Sequence, residues 1–397
     1  MTPGQLLNGT ARRSRPSDRR ATILAAATAA FSADGYHATK LSRIAEATGI
    51  STPALYRHFA NKSELLAAVT CDMALRIAGV LESVPPRPDD PRGELAELIE
   101  GYVADVLNHR DNADLFRWEA TSLTAEDRRY VRDIRLTGHR RVRALLQTLR
   151  PDLSRLDADV LTDAVFAVAS SPASHRITMP RKAIVALMRD AALTVAEVDL
   201  PPEGPDIPST GLSPAGRRES VLAAAVGLFA DRGFHEVTVE DIGTASGLPP
   251  SGVYRHFPSK QAIVAAALER ASGRVTAAIA DGLAQAGSAT AAVSSLARSY
   301  GRLCADDRAI ITVYRRCFGA LEPQERTALR RQQRANIDEW STWLLAARPE
   351  LSSAAARFLV HAALDTTGDL TGAPHPCGAA RAAAVADAVL LRTAAPA

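Results

Sequence analysis

Hydrophobic positions along the chain recur with the period of an α-helix. Near the N-terminus, Ile23, Leu24, Ala27 and Phe31 follow each other at helical spacing, and Gly35 stands just past that pattern as a stop signal. Alanine is abundant, and no long stretch alternates apolar and polar residues with the period of two that a strand needs. The pattern therefore predicts an all-α protein.

Shorter helical patterns follow this first helix. Leu41 and Ile44 share one face of a short helix that Gly49 ends, and Ser51 can cap a second short helix. Asn61 can cap a longer helix after it. Two short helices about a glycine turn are the helix-turn-helix arrangement, in which the second helix enters the major groove of DNA.

The whole pattern occurs twice. At a shift of 198 residues, "ALYRHFANKSELL" (54–66) lies over "GVYRHFPSKQAIV" (252–264), and "RPDLS" (150–154) lies over "RPELS" (348–352). A register kept without gaps over this distance predicts duplication of a complete unit. Eleven of the 36 positions in 31–66 are identical in 229–264, namely Phe31, Gly35, His37, Ile44, Ala47, Gly49, Tyr56, Arg57, His58, Phe59 and Lys62.

A proline-rich stretch separates the two copies and defines the expected domains. The segment "DLPPEGPDIPSTGLSPAG" holds five prolines and three glycines, which is typical of a linker. The predicted division is a basic arm (1–17), a helix-turn-helix domain (18–66), a helical regulatory domain (67–198), the linker (199–215), a second helix-turn-helix domain (216–264) and a second helical regulatory domain (265–397).

Composition narrows the classes of protein. The net charge of +3 permits nucleic acid as a partner without requiring it. The four cysteines form no CxxC pair, and no apolar run approaches 18 residues, so we expect a reduced cytoplasmic setting and no membrane span. No GxSxG, P-loop, HExxH or Rossmann fingerprint is present, so an enzyme is not expected. The spacing of His361, His375 and Cys377 matches no defined metal site, and no metal or cofactor is expected.

Both repeated stretches resemble the DNA-binding region of the tetracycline-repressor (TetR) family of transcriptional regulators. The resemblance rests on "GYHATKLSRIAEATGISTPALYRHFANKSELL" and "GFHEVTVEDIGTASGLPPSGVYRHFPSKQAIV", and it is strong over 18–66 and 216–264. It implies an all-α fold in which each helix-turn-helix domain is followed by a helical domain for effector binding and dimerisation. The arrangement is similar to tandem regulators of actinobacteria.

The resemblance assigns roles at the DNA. Tyrosines 56 and 254 and lysines 62 and 260 would contact phosphates, the arginine and histidine after each tyrosine would face the duplex, and the start of each second short helix would read bases. The alternatives are half-buried core for the tyrosines and solvated surface for the arginines and histidines, whereas Phe59 and Phe257 are expected in the core. The expected DNA-contacting set is Thr39, Ser42, Arg43, Ser51, Thr52, Pro53, Ala54, Tyr56, Arg57, His58, Lys62, Thr238, Pro250, Ser251, Gly252, Tyr254, Arg255, His256 and Lys260.

The two copies differ where bases would be read and in charge. "STPA" and "PPSG" offer different donors and methyl groups, which predicts two different half-sites. Residues 11–66 hold nine Lys/Arg against four Asp/Glu, whereas residues 213–264 hold five of each. We therefore expect the first copy to supply most of the electrostatic affinity for DNA.

Two helix signals also differ between the copies. Lys40 stands where the second copy has Thr238, so the cap of the first short helix is either missing or shifted to Thr39. Gly243 replaces Ala45, which should weaken the second copy's helix by roughly 0.5–1 kcal/mol.

The regulatory domains carry aromatic residues in helical stretches. They either fill a plain core or line an effector pocket. Trp340 and Trp343 have no aromatic counterpart in the first copy, which favours the second copy as the one that binds a ligand. The candidate pocket residues are Phe116, Trp118, Phe166, Tyr314, Phe318, Trp340, Trp343 and Phe358. If the family pattern holds, helices near 155–170 and 182–197 and their counterparts near 353–370 and 379–393 form a subunit-type interface.

The leading functional hypothesis is an effector-responsive repressor. Its partners would be double-stranded operator DNA, with an asymmetric or pseudopalindromic site, and a small hydrophobic effector of unknown identity. It would act as an intramolecular pseudo-dimer or as a homodimer. The alternative is an architectural DNA-binding protein without an effector, for which sequence-independent binding would be typical.

Overall fold

A computed structural model of the chain describes residues 16–110, 123–203, 216–372 and 377–395. Every regular element of these residues is a helix, which confirms the all-α prediction. The first unit contains α1 (Pro16–Asp34), α2 (Leu41–Ala47), α3 (Thr52–Tyr56), α4 (Lys62–Ser83), α5 (Pro91–Asn108), α6 (Ala125–Leu149), α7 (Arg155–Ser170) and α8 (Arg181–Ala196). The second contains α9 (Arg217–Arg232), α10 (Val239–Ser246), α11 (Pro250–Tyr254), α12 (Lys260–Ala284), α13 (Ala289–Asp306), α14 (Arg308–Arg316), α15 (Pro323–Ala347), α16 (Ser353–Gly372) and α17 (Ala379–Leu391).

The duplication visible in the sequence is also visible in the helix bounds. α13 begins and ends 198 residues after α5, and α15 begins and ends 198 residues after α6. The same shift relates α11 to α3. Side-chain caps fix several of the starts, since Asn61 Oδ1 accepts a hydrogen bond from the Glu64 N–H and Ser259 Oγ accepts one from the Ala262 N–H. Each described helix of the first unit therefore has a counterpart in the second unit, which also contains α14.

The two units pack against each other through the helices that the sequence predicts for this role. α7 packs on α16, and α8 packs on α17. Leu161 of the first unit and Leu359 of the second are fully buried, and both belong to one hydrophobic cluster that spans the two units. His175, just after α7, lies edge-on to Phe358 with ring centroids 4.5 Å apart. The interface is thus an interior that the two halves of one chain share.

One ion pair breaks the symmetry of this interface. Arg381 on α17 lies 2.7 Å from Asp157 on α7, and its Nε donates to the Pro201 carbonyl at the start of the linker. The equivalent positions in the opposite units are Ala183 and Ala355. The pair therefore occurs once in the pseudo-dimer, and it favours contact between unlike units over contact between like ones.

None of the helices in the described part of the chain is long and apolar enough to cross a membrane.

Asp157→Asn should destabilise the paired units. The Arg381 side chain is only 8% exposed, so the change leaves a buried guanidinium without its counter-ion, and we expect a loss of about 3 kcal/mol in the free energy of unfolding by urea. The double variant Asp157→Asn/Arg381→Met should recover most of that loss. Asp159→Asn, which removes a 45% exposed partner of Arg143, is the matched control and should cost under about 1 kcal/mol. Equal losses in the two Asp→Asn variants would contradict the assignment.

Candidate DNA-binding surface

Each helix-turn-helix domain turns at a glycine in the left-handed region. Gly49 has a φ of +66° and Gly247 a φ of +68°. Other residue types adopt this conformation only with strain. Gly247 is the C-cap of α10, and its N–H donates to the Thr244 carbonyl. These turns orient the second short helix of each domain, α3 and α11, relative to the first.

The first short helix is capped in the second domain only. Thr238 and Asp241 form a capping box, in which each side chain accepts a hydrogen bond from the other residue's backbone N–H. Those bonds, with the guanidinium of Arg232, hold the pKa of Asp241 below its usual range. Lys40 makes no side-chain cap of α2, and the cap is not shifted to Thr39 either. The Thr39 hydroxyl is buried and donates to the Ala30 and Gly35 carbonyls, so it holds the loop between α1 and α2.

Gly243 permits a close approach of two backbone segments. A Cβ at this position would lie 2.6 Å from the Leu248 carbonyl oxygen, and the Leu248 N–H donates to the Gly243 carbonyl. The sequence comparison with Ala45 suggested only a weakened helix. The structure shows in addition that the turn of the second domain is too tight for an alanine here.

The residues around the second short helix divide into an exposed and a buried set. Tyr56 and Tyr254 are 50% and 53% exposed, so they are not the half-buried core that was the alternative. Arg57, Arg255 and His58 are also exposed, and His256 is half-buried. Phe59 and Phe257 are buried as predicted, and the equivalent arginines Arg20 and Arg218 lie over their rings at 5.2 and 4.5 Å.

The start of the second short helix differs between the domains in geometry as well as in sequence. Pro53 and Ser251 are exposed, whereas Thr52, Ala54, Pro250 and Gly252 are half-buried. The Ser51 hydroxyl accepts a hydrogen bond from the Ala54 N–H and caps α3, while Pro249 at the equivalent position offers no side-chain cap. Different groups therefore reach the surface at equivalent places.

Both lysines expected at phosphates also have a structural partner. The Lys62 ammonium donates to the His37 carbonyl and lies over the Tyr36 ring. The Lys260 ammonium donates to the Phe234 and Val237 carbonyls, and burial lowers its pKa. Each lysine thus joins the first residue of a long helix to the loop before the first short helix. Contact of either lysine with a phosphate remains a prediction.

The charge difference between the domains is concentrated before the turn. Ser42 and Arg43 are exposed on α2, where α10 has the exposed Glu240 and the acidic member of its capping box. The Arg232 guanidinium lies 2.8 Å from that carboxylate and neutralises it in part. The second domain therefore presents a less positive surface than the first at the same place.

The two helix-turn-helix domains touch each other at equivalent residues. The rings of His37 and His235 stack with centroids 4.0 Å apart and planes inclined by 23°. Burial, opposed in part by Glu236, lowers the pKa of His37, and burial with the charge of His37 lowers that of His235. Because the two positions are related by the repeat, the pseudo-two-fold axis passes between these rings.

An apolar cavity of about 110 Å³ lies in the first regulatory domain. Its apolar wall includes Met73, Ile77, Leu81, Tyr102 and Phe166. A charged rim closes one side, where Arg76 pairs with Asp105 and the His139 ring stacks on Phe166 at 4.5 Å. The combination of an apolar wall with a few polar groups is typical of a small-molecule site.

Few of the aromatic residues proposed for a pocket line this cavity. Phe166 does, while Phe358 is fully buried between the units and Trp340 is buried edge-on to Tyr300. Among the others, the Phe318 ring faces Arg330, and Trp343 Nε1 donates a hydrogen bond to Glu339. Burial raises the pKa of Tyr314 to about 12. Phe116 and Trp118 fall in 111–122, outside the described residues. The position of the effector site stays a prediction.

Lys40→Thr should stabilise the start of α2. The new hydroxyl can accept a backbone hydrogen bond that Lys40 leaves unmade, worth about 1 kcal/mol. Hydrogen exchange of the α2 amides should then slow by about fivefold. The reverse change, Thr238→Lys, is the matched control and should speed exchange in α10 by a similar factor. Unchanged exchange in both helices would show that the caps contribute nothing here.

Comparison with known proteins places both domains in one family. The family model described as "Bacterial regulatory proteins, tetR family" matches residues 23–69 and 221–267. The chain is 43% identical over 60 residues to the transcriptional repressor KstR2 of Mycolicibacterium smegmatis, which is 15% of this chain and 28% of the relative. It is 34% identical over 93 residues to the transcriptional activator FasR of the same organism, which is 23% of this chain and 42% of the relative. The chain thus spans less than half the length of these curated relatives.

Solved structures also align with about one half of the chain. A tetR-family regulatory protein from Rhodococcus RHA1 has a TM-score of 0.42 and 22% identity, over 45% of this chain and 96% of that one. A TetR-like regulator from Rhodococcus sp. RHA1 has a TM-score of 0.39 and 26% identity, over 46% and 97%. The two matches of the family model thus identify residues 23–69 and 221–267 as two domains of the kind found in the tetR family of bacterial regulatory proteins.

Proposed function

We propose that this protein is a sequence-specific transcriptional regulator, and that it represses until a small hydrophobic effector releases it from operator DNA. The observation that carries the proposal is the pair of helix-turn-helix domains with exposed Tyr56, Arg57, Tyr254 and Arg255 at equivalent positions. Tyrosine hydroxyls and guanidinium groups are suited to phosphate oxygens, which position a protein on the duplex.

The two domains would read different half-sites. Base contacts come from the first residues of the second short helix, and here Pro53 is exposed in one domain and Ser251 in the other. A homodimer would present the same residue twice. The operator we propose is accordingly asymmetric or imperfectly palindromic, and one chain could occupy it.

A route from effector to DNA runs along α4. Its C-terminal half lines the apolar cavity through Ile77 and Leu81, and its first residue, Lys62, donates to the His37 carbonyl in the helix-turn-helix domain. A ligand that displaces the middle of α4 would therefore change the position of the first domain relative to the second. The His37–His235 contact lies on this route and would respond to the change.

The proposal involves no catalysis. The relatives named above are transcriptional regulators, and the proposed mechanism requires only DNA contact and effector binding. We also propose a cytoplasmic location, because operator DNA has to be within reach.

Arg57→Ala should weaken operator binding more than Arg255→Ala. The first domain has the more positive surface, so we expect about a tenfold loss for Arg57→Ala, a smaller loss for Arg255→Ala, and a fall of about 0.9 in the slope of log affinity against log salt for a lost phosphate contact. Fluorescence polarisation on the DNA flanking the coding region measures both quantities. We substitute the arginines and not lysines 62 and 260, because each of those lysines also binds a carbonyl of the loop before the first short helix.

Two results would contradict these assignments. Equal losses for the two arginine variants would refute the dominant role of the first domain. Equal affinity of the unaltered protein for unrelated duplex DNA would refute sequence-specific regulation and favour an architectural role.

Ala78→Phe should abolish the effector response without abolishing operator binding. Ala78 lines the cavity and is half-buried, so the larger side chain fills the space that a ligand would need, at a cost of about 1–3 kcal/mol of stability. Polarisation with a panel of fatty acids and sterols should show release of DNA from the unaltered protein and from the control variant, but not from Ala78→Phe. Gly79→Ala on the outer face of α4, where a Cβ meets nothing within 4 Å, is the control. Release of both variants by the same compound would place the effector elsewhere.

A further inference from the structure

Two arginines at equivalent positions have different surroundings. Arg110 in the first unit corresponds to Arg308 in the second. The Arg110 guanidinium is fully engaged by protein groups: Nε donates to the Pro172 carbonyl at 2.6 Å, and the two terminal nitrogens reach the Ile177 carbonyl and His175 Nδ1 at 3.1 and 3.0 Å. The first unit therefore supplies a complete set of acceptors for this arginine.

The second unit differs at the one of these three positions that the structure describes, since residues 373 and 375, the equivalents of His175 and Ile177, lie outside the described residues. Leu370 stands where the first unit has Pro172, and its carbonyl already accepts the Cys377 N–H at 3.1 Å inside the helix end of α16. Arg308 Nε is buried and has no hydrogen-bond partner among the residues that the structure describes. A buried donor without an acceptor costs about 1–3 kcal/mol, so a bound acceptor beside Arg308 would stabilise this part of the protein.

Arg308 lines a polar cavity of about 120 Å³ in the second unit. Water occupies about 30 Å³ per molecule, so this space accommodates several waters or a group of similar total size. The cavity lies between α13, α14 and the end of α16, and it is a different space from the apolar cavity of the first unit.

The charge of the cavity wall is positive. Arg308, Arg315 and Arg316 line it together with a single carboxylate, that of Asp369, which lies 2.6 Å from the Arg315 guanidinium. The Cys304 thiol, also in the wall, is neutral, because burial raises its pKa to about 12. Two guanidinium groups thus remain without a carboxylate in the wall to balance them.

Two glycines of α16, Gly368 and Gly372, leave space beside the arginines. A Cβ at Gly368 would lie 2.8 Å from a terminal nitrogen of Arg315, so glycine lets that guanidinium lie against α16. At Gly372, on the same wall, a Cβ would meet nothing within 4 Å. The cavity is therefore open at Gly372 and bounded by a fixed cation at Gly368.

We propose that this cavity binds an oxyanion, the phosphate or carboxylate group of a small molecule, with Arg308 and Arg316 as its cationic ligands. Guanidinium groups recognise both kinds of oxyanion through paired, charge-assisted hydrogen bonds. The Thr312 side chain, which also lines the cavity, can donate a further hydrogen bond. An anion here would give the buried Arg308 Nε an acceptor, as the Pro172 carbonyl does for Arg110 Nε in the first unit.

The site lies on the helix that packs against the second helix-turn-helix domain. α14 contacts α9, and a terminal nitrogen of Arg316 donates to the Ala230 carbonyl on α9 at 3.4 Å. An anion that draws Arg316 into the cavity competes with that bond. Its binding would then alter operator affinity, and this second part of the inference, unlike the binding itself, rests on the proposed function.

Isothermal titration calorimetry on the full chain without DNA tests the site. Inorganic phosphate and butyrate are titrated separately at constant ionic strength in chloride. We expect saturable binding of one anion per chain, weakened at least about tenfold by Arg308→Gln and unchanged by Arg334→Gln, an exposed arginine of α15 in the same unit. Binding of phosphate alone or of butyrate alone supports the site and identifies the group it takes.

The outcomes that overturn the inference are equally specific. No saturable heat with either anion, or the same affinity in Arg308→Gln, means that the cavity holds water only. Should Arg308→Gln fail to fold by circular dichroism, Gly372→Leu decides the question, because Gly372 lines the cavity and a Cβ there meets nothing within 4 Å. Retained binding in Gly372→Leu then refutes the site. Polarisation with operator DNA tests the coupling separately, so a failure of DNA binding leaves the calorimetric result standing.

Discussion

The burial of α7 and α8 against α16 and α17 determines the position of every functional element in this protein. The buried residues of these helices are mainly apolar, and exposure of so much apolar surface to water would be unfavourable. Because they belong to one chain, the resulting two-fold arrangement is approximate, and equivalent residues are free to differ. The helix-turn-helix domains are held relative to each other by this interior, and they contact each other at His37 and His235.

Departures from the two-fold arrangement are informative because everything around them is repeated. The Asp157–Arg381 pair, the capping box at Thr238 and the contrast between Arg110 and Arg308 each occur on one side only. In a homodimer, a residue at any of these positions would have to serve both sides. Here one copy satisfies an arginine with its own carbonyls, while the other leaves a cavity beside it.

Much of the fold could be predicted from the sequence, because helix caps, glycine stops and the repeat are local or periodic signals. The burial of Phe59, which follows the short helix α3, was predicted in this way. The partners of Lys62 could not be predicted, since the carbonyl it binds is 25 residues away and only the fold brings it near. Gly243 is similar, because its need for glycine comes from the path of Leu248.

The candidate pockets were the least accessible to sequence reasoning. An aromatic residue fills a core or lines a cavity depending on the volume of its neighbours, which a single sequence does not give. Trp340 fills its surroundings, whereas Phe166 leaves space beside it. The unsatisfied Arg308 became visible only through comparison with its structural equivalent, since the two arginines look alike along the chain.

The pairing of α7 and α8 with α16 and α17 inside one chain has a consequence for the proposed gene control at low abundance. Two separate subunits associate by a second-order process, so the fraction that is paired falls as the protein is diluted. Halves joined by a linker pair at a rate that does not depend on how many copies the cell contains. A regulator built in this way can be present in a handful of molecules per cell and still have both halves assembled.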